Sequence, residues 1–356
     1  MLSAPPGRAR LMRARAQGLA GGVRCQGVAE VVDQVFAVQA QDLDAAALGL
    51  RVRAAGLTRD DVLRGYGVES AVVRGWFMRG TLHAVPAADA MWLTALFGPI
   101  SLAASRRRHA ELGLDEDLCA RAEERMMAAL AEEGPLTRAE LTARLVAVGV
   151  PERGQAPFHL IRRAALRGLI CHGAFRDGEA AFVPLSDRVG AEDPGWSPEE
   201  AAAELARRYL RAYAPATVID FGTWSGLPMP LARRAWKALS DTVEIDVVGQ
   251  ACALPESRLL ELDEEQPEAD VRLVPAYDNY LVGYRTRALS VAEPYEKEVW
   301  PGGGQIRATV LIDGLAAGTW GRRGRSVDVR PFKQFSDAVA AGAAAEQADI
   351  ARFLTP

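Results

Sequence analysis

Two carboxamides, Gln39 and Gln41, flank a single alanine where the apolar run Val35-Phe36-Ala37-Val38 ends, and an acid, Asp42, follows directly. A glutamine side chain is poor at proton transfer. Its oxygen accepts and its NH2 donates, so it holds a water or a developing charge well. Two such groups at one site suit a reaction whose leaving group is already activated. On a helix, residues i and i+2 point about 200° apart, whereas in an extended segment they share one side. For both amides to serve one site, the helix has to end near Val38 and the backbone has to extend through 39–41. Asp42, Asp44 and a short following helix favour such a break. Asp42 either adds negative charge to the site or caps the next helix.

Three stretches around and beyond this pair share one order: helix, helix, helix, then two short strands. The first has helical patterns over 8–19, 28–38, 43–52 and 59–66. Strands over 71–77 and 81–85 follow, about the turn Met78-Arg79-Gly80. The second has helices over 118–132, 138–148 and 158–167, with Thr137 and Glu140 spaced as a capping box. Its strands, 169–172 and 180–184, flank Asp177-Gly178. The third opens with Ser197-Pro198 and has helices over 198–213, 217–224 and 230–240, then strands over 243–248 and 252–254 about Gly249. This is the order of a winged helix, a relative of helix-turn-helix.

An acidic linker follows, with Glu261, Asp263, Glu264, Glu265, Glu268 and Asp270 read as a solvated loop. Strands are predicted over 271–274, 305–312, 315–320 and 326–330, with Asp313-Gly314 as a hairpin turn, and a closing helix over 336–354. The expected class is α+β. Winged-helix modules occupy 1–112, 113–193 and 194–260, curled into a C-shape, and a small β-rich, barrel-like domain occupies 261–356.

Composition bounds the function. The chain has 356 residues, 49% hydrophobic and 25% charged, a globular balance. No apolar run approaches the roughly 18 residues of a membrane span. The first 24 residues hold five Arg and no acid without a long apolar stretch behind them, which fits an amphipathic helix of the mature fold rather than a signal peptide. Cys25, Cys119, Cys171 and Cys252 are scattered, so no metal cage or disulfide framework is expected, and a reducing cytoplasm is the simple inference. No cofactor and no metal are expected. A net charge of -4 gives no whole-chain attraction for a polyanion, so any such partner must meet a local basic face. Lysine occurs only at 237, 297 and 333, leaving 39 of the 42 basic residues as Arg, the side chain that grips phosphate in a bidentate way. A bias toward Ala, Arg and Gly accounts for most of that preference.

Val38-Gln39-Ala40-Gln41, then Arg79-Gly80-Thr81-Leu82-His83, then Tyr277-Asp278-Asn279 with Arg285 and Arg287 resemble, in order and spacing, the winged-helix DNA glycosylases typified by AlkZ. The resemblance spans nearly the whole chain. It implies that Gln39 and Gln41 are the catalytic pair. Glutamine at the second position points to the branch that unhooks bulky or crosslinking guanine adducts of genotoxic natural products, as self-resistance. The implied substrate is double-stranded DNA carrying alkylated guanine, and a monomer is expected.

The chemistry agrees with the residues. Ordinary glycosidases need a carboxylic acid and a carboxylate. An N7-alkylated guanine is cationic and leaves neutral, so what remains is to place a water and stabilise an oxocarbenium-like sugar, which amides do electrostatically. The three lysines read as surface residues, so no Schiff-base nucleophile is expected and the product is an abasic site. Arg79 either holds a phosphate or pairs with a buried acid. His83 either touches the lesion strand or satisfies a backbone carbonyl. Asp278 and Asn279 either line a cleft or form a turn. Arg285 and Arg287 are candidates for phosphate contact, as are Arg106-Arg107-Arg108-His109 and Arg322, Arg323 and Arg325. Trp300 with Gly302-Gly303-Gly304 is either a groove-probing hairpin or a mobile loop.

Two other functions fit parts of the pattern. A winged-helix transcription regulator would use Arg162, Arg163 and Arg167 on a recognition helix, but it has no use for paired amides in an apolar run. A non-catalytic protein that sequesters a toxin needs an enclosed apolar pocket.

Overall fold

The structure is a computed structural model and describes residues 2–22, 24–67, 69–176, 179–189, 194–264 and 269–355. Its first elements are β1 (Leu2–Ser3), α1 (Pro6–Ala16), α2 (Val28–Val35), β2 (Val38–Gln39), α3 (Leu43–Arg51) and α4 (Arg59–Tyr66). Next come β3 (Val72–Trp76), β4 (Leu82–Pro86), α5 (Ala90–Glu111), α6 (Glu116–Glu133), α7 (Arg138–Val146), α8 (Ala156–Leu166), β5 (Ile170–Arg176) and β6 (Glu179–Pro184). Then follow α9 (Pro198–Tyr213), α10 (Val218–Ser225), α11 (Met229–Lys237), β7 (Thr242–Val247), β8 (Gln250–Pro255), β9 (Val271–Val274), α12 (Asn279–Val282) and α13 (Glu296–Val299). The chain closes with β10 (Thr309–Ile312), β11 (Leu315–Arg323), β12 (Ser326–Pro331) and α14 (Asp337–Phe353). The class is α+β.

Most boundaries follow from local signals. Thr137 and Glu140 form the expected capping box of α7, and Ser197 with Glu200 does the same before α9. Ser336 caps α14. The Asp177-Gly178 turn lies outside the described residues. Nothing in the sequence pattern predicts α5 beyond a basic helical face near its end. By length and composition alone, the helix Ala87–Glu111 is apolar enough to cross a membrane, an 18-residue window within it having a mean hydropathy of 1.3. This corrects the expectation that no such run exists. Trp92, Leu93, Leu96 and Phe97 of α5 are buried in the fold. Its Gly98 meets the Leu166 carbonyl at the end of α8 so closely that a Cβ would sit 2.1 Å from that oxygen.

The chain forms two compact units, Met1–Val62 with Ala202–Pro356, and Leu63–Ala201. In the second unit, β4, β3, β5 and β6 lie in that order as antiparallel neighbours. Trp76, Met126, Leu130, Leu141, Leu145 and Ile161 share its core.

In the first unit, β1 pairs in parallel with β7, which pairs with β8. A second sheet runs β12-β11-β10-β9, all antiparallel. It stays open, with β12 and β9 as edges, so the expected barrel-like closure is not what forms. Helix α14 packs on both edge strands instead. Arg51, fully buried at the end of α3, locks α14 in place through Glu346 (3.0 Å) and Asp349 (2.9 Å). The expected amphipathic helix near the start is α1, but four consecutive residues, Leu11 to Ala14, are buried, Arg13 among them. That guanidinium sits 3.8 Å from the Tyr284 ring centre and donates to the Pro215 carbonyl. The acidic linker is partly engaged: Glu264 pairs with Arg15, and Asp270 with Arg272. Glu265 and Glu268 lie outside the described residues.

Candidate active site

Helix α2 buries Val28, Val31, Val32 and Val35 along one face and stops there. The stop is conformational. Phe36 (φ 46°, ψ 110°) and Ala37 (φ 66°) are consecutive non-glycine residues at positive φ. Each such residue costs on the order of 1–3 kcal/mol and persists only where its surroundings over-determine it. The backbone then extends through β2, and α3 begins after Asp42, whose carboxylate accepts from the Ala45 amide at 3.0 Å. Asp42 is therefore the helix cap. The helix ends three residues earlier than the sequence pattern suggests, and Gln39–Gln41 lies outside any helix.

Burial along this stretch alternates. Val38 and Ala40 are buried, Gln39 is half-buried and Gln41 is exposed. In extended backbone this period of two turns both amides away from the core that takes Val38 and Ala40.

Asn279, the first residue of α12, grips the stretch from behind. Its Oδ1 accepts the Gln39 amide at 2.9 Å. Its Nδ2 donates to the Ala37 carbonyl and to the Tyr213 hydroxyl, both at 2.9 Å. The amide can face only one way, because the Gln39 N–H is solely a donor and the Ala37 carbonyl solely an acceptor. Asp278 caps α12 by accepting from the Tyr280 amide. It also receives both ends of the Arg53 guanidinium, at 2.7 and 2.8 Å, with both side chains about 2% exposed. Arg53 donates as well to the carbonyls of Gln17 and Gly49. Asp278 and Asn279 are thus neither bare cleft lining nor ordinary turn formers. Arg53, Tyr213 and Gln17 are network members that no local sequence signal marks.

The other first-unit candidates are spread out. Arg285 is exposed, and its backbone amide is held by Asp220 at 2.8 Å. The Arg287 guanidinium stacks 4.0 Å above the Trp300 ring and lies 3.9 Å from Glu296. Burial pulls the Arg287 pKa down, with Glu296 opposing. Trp300 is half-buried against the core, so it is no bare probe; the Gly302–Gly304 tip beyond it is exposed. Arg322 pairs with Asp44. Lys237, Lys297 and Lys333 are all exposed.

In the second unit, Arg79 sits exposed in the β3–β4 turn at φ 55°. His83 is 1% exposed, and its Nδ1 lies 3.0 Å from the Thr81 carbonyl, which makes Nδ1 the protonated nitrogen. Burial, then the Arg79 charge, pushes its pKa down to about 3. The His83 ring is therefore neutral near pH 7 and engaged with a backbone carbonyl. Of the basic cluster on α5, Arg107 and Arg108 pair with Glu111, and His109 is buried. On α8, Arg163 and Arg167 are held by Glu123, and Arg162 donates to Ser105. A recognition helix needs such side chains outward-facing, which weakens the regulator alternative.

Comparison with known proteins places this architecture among the DNA glycosylases. The model of the family described as DNA glycosylase AlkZ-like matches residues 32–353, and the chain belongs to that family. It is 29% identical over 338 residues to the interstrand DNA cross-link repair glycosylase of Streptomyces sahachiroi, covering 91% of this chain and 90% of that protein. Among solved structures, the Streptomyces sahachiroi DNA glycosylase AlkZ superposes with a TM-score of 0.83 at 26% identity, covering 99% of this chain and 97% of the other. This protein is a DNA glycosylase acting on DNA.

Proposed function

We propose that this enzyme hydrolyses the N-glycosidic bond of N7-alkylguanine in duplex DNA. Bulky and interstrand-crosslinking adducts from a genotoxic natural product are the intended substrates, and the role is self-resistance in the cytoplasm. The relative's description as an interstrand cross-link repair glycosylase supports the crosslink part of the reading. The observation that carries the mechanism is the non-helical Gln39–Gln41 segment, in which Val38 and Ala40 are buried while Gln39 is half-buried and Gln41 exposed. Their oxygens orient a water on the sugar and stabilise its developing positive charge, while the cationic base departs neutral without a general acid. All three lysines are exposed, whereas an amine nucleophile needs desolvation. The enzyme is therefore monofunctional, acts as a monomer and leaves an abasic site. Arg79, Arg285 and Arg287 contact phosphate.

Part of the proposal is modular. The orders α6-α7-α8-β5-β6 and α9-α10-α11-β7-β8 support two of the three winged-helix modules, which would curl into a C-shape around the lesion.

The test uses duplexes carrying N7-methylguanine or a bis-N7-guanine crosslink, with alkali to reveal abasic sites. Release by the wild type and loss in Gln39→Ala with Gln41→Ala is the expected result. No release by the wild type, or equal release by the variant, overturns the reading. A borohydride-trapped protein–DNA adduct overturns the monofunctional part.

A further inference from the structure

The structure assigns to Asn279 a positioning role: its side-chain amide holds the strained backbone of 37–39 in the conformation that presents Gln39 and Gln41 to the substrate. This rests on the proposal that those glutamines are the catalytic pair. The strain needs a holder. Phe36 and Ala37 leave α2 through two successive left-handed conformations, and the last hydrogen bond α2 supplies there runs from the Phe36 amide to the Val32 carbonyl. Beyond it, Asn279, 240 residues away from Gln39 in sequence, brackets Val38. It accepts from the Gln39 amide on one side and donates to the Ala37 carbonyl on the other. Its remaining N–H is taken by the Tyr213 hydroxyl.

Asn279 is itself fixed. It is 4% exposed, and the residue before it, Asp278, is chelated by Arg53. Arg53 follows α3, the helix that starts directly after the glutamine pair. The dipeptide Asp278-Asn279 therefore ties both flanks of the 39–41 segment, one through the amide and one through the ion pair. Among the standard side chains only asparagine offers an acceptor and two donors on so short an arm. Buried behind the segment, Asn279 acts through Gln39 and Gln41, so it is a positioning residue rather than a catalytic one.

Single-turnover release of N7-methylguanine from duplex DNA tests this, with DNA affinity and thermal midpoint measured alongside. Asn279→Ala is expected to lower the release rate about 100-fold, with DNA affinity changed less than about 3-fold. The triple variant Gln39→Ala with Gln41→Ala and Asn279→Ala should release no more slowly than Gln39→Ala with Gln41→Ala, within about 3-fold. A residue that merely supports the fold would add its loss to that of the glutamine pair. Tyr213→Phe, which keeps the ring and removes the hydroxyl that accepts from Asn279, should slow release about 5-fold and decides the matter if Asn279→Ala does not fold. Wild-type release by folded Asn279→Ala, an additive loss in the triple variant, or wild-type release by Tyr213→Phe overturns the assignment. Wild-type release by Gln39→Ala instead overturns the proposal beneath it.

Discussion

Phe36-Ala37 in the first unit and Arg79 in the second both bend the chain through left-handed backbone next to a candidate site residue. The means of support differ. Around Arg79 the turn carries local bonds: the Phe77 amide donates to the Thr81 carbonyl, the Thr81 amide to the Met78 carbonyl, and His83 returns to Thr81. Around Phe36-Ala37 the support includes a long-range hold by Asn279, with Asp278, Arg53 and Tyr213 behind it. A local turn presents one exposed Arg over a neutral buried imidazole. A long-range clamp presents two polar side chains in a set direction. The mechanism proposed above needs direction at the glutamines, which a locally supported turn supplies less rigidly.

The largest expected effect separates the clamp from the turn. Asp278→Ala leaves the Arg53 guanidinium buried and uncompensated, and urea unfolding should show a loss of about 3–5 kcal/mol. A loss below about 1 kcal/mol would mean that the pair supports nothing.

The next effect is catalytic. Gln39→Ala with Gln41→Ala should slow base release by about 100- to 1,000-fold, while the urea midpoint stays close to that of the wild type. A large fall in stability would move these residues from chemistry to folding.

Acid sensitivity probes the local turn. Burial pushes the folded pKa of His83 down to about 3, against about 6.5 for an ordinary histidine, so between those values the unfolded chain binds the extra proton. Its contribution to stability is complete above pH 6.5 and declines toward pH 3, by roughly 1 kcal/mol per pH unit. His172, also buried and pushed to about 3, adds to the same slope. His83→Gln should flatten the slope measured by urea unfolding at pH 7.5 and pH 5, and an unchanged slope would break the assignment of a neutral imidazole.

The smallest effect is at Arg79. Arg79→Gly relieves a left-handed residue, so stability should rise by up to about 1 kcal/mol. The salt dependence of DNA binding should fall by about one unit of slope. An unchanged slope would remove Arg79 from the phosphate contacts.

Much of this was legible along the chain because the signals act over a few residues. The capping pair Thr137 and Glu140, the Asp313-Gly314 hairpin and the Met78-Arg79-Gly80 turn each fix an element from its own sequence. The break before Asp42 belongs with them, since an apolar helix giving way to Gln-Ala-Gln-Asp requires it. Helix α5 was not legible: its Pro99 and its mixed apolar pattern mask a 22-residue helix that tertiary burial sustains.

The sequence by itself determined most of the element order and a helix break before Asp42. Only the tertiary structure decided that Asp278 and Asn279 face inward as a clamp, that Arg53 and Tyr213 join them, and that the last sheet stays open under α14. The clamp depends on hydrogen bonds between residues 66 to 242 positions apart, which no local pattern encodes.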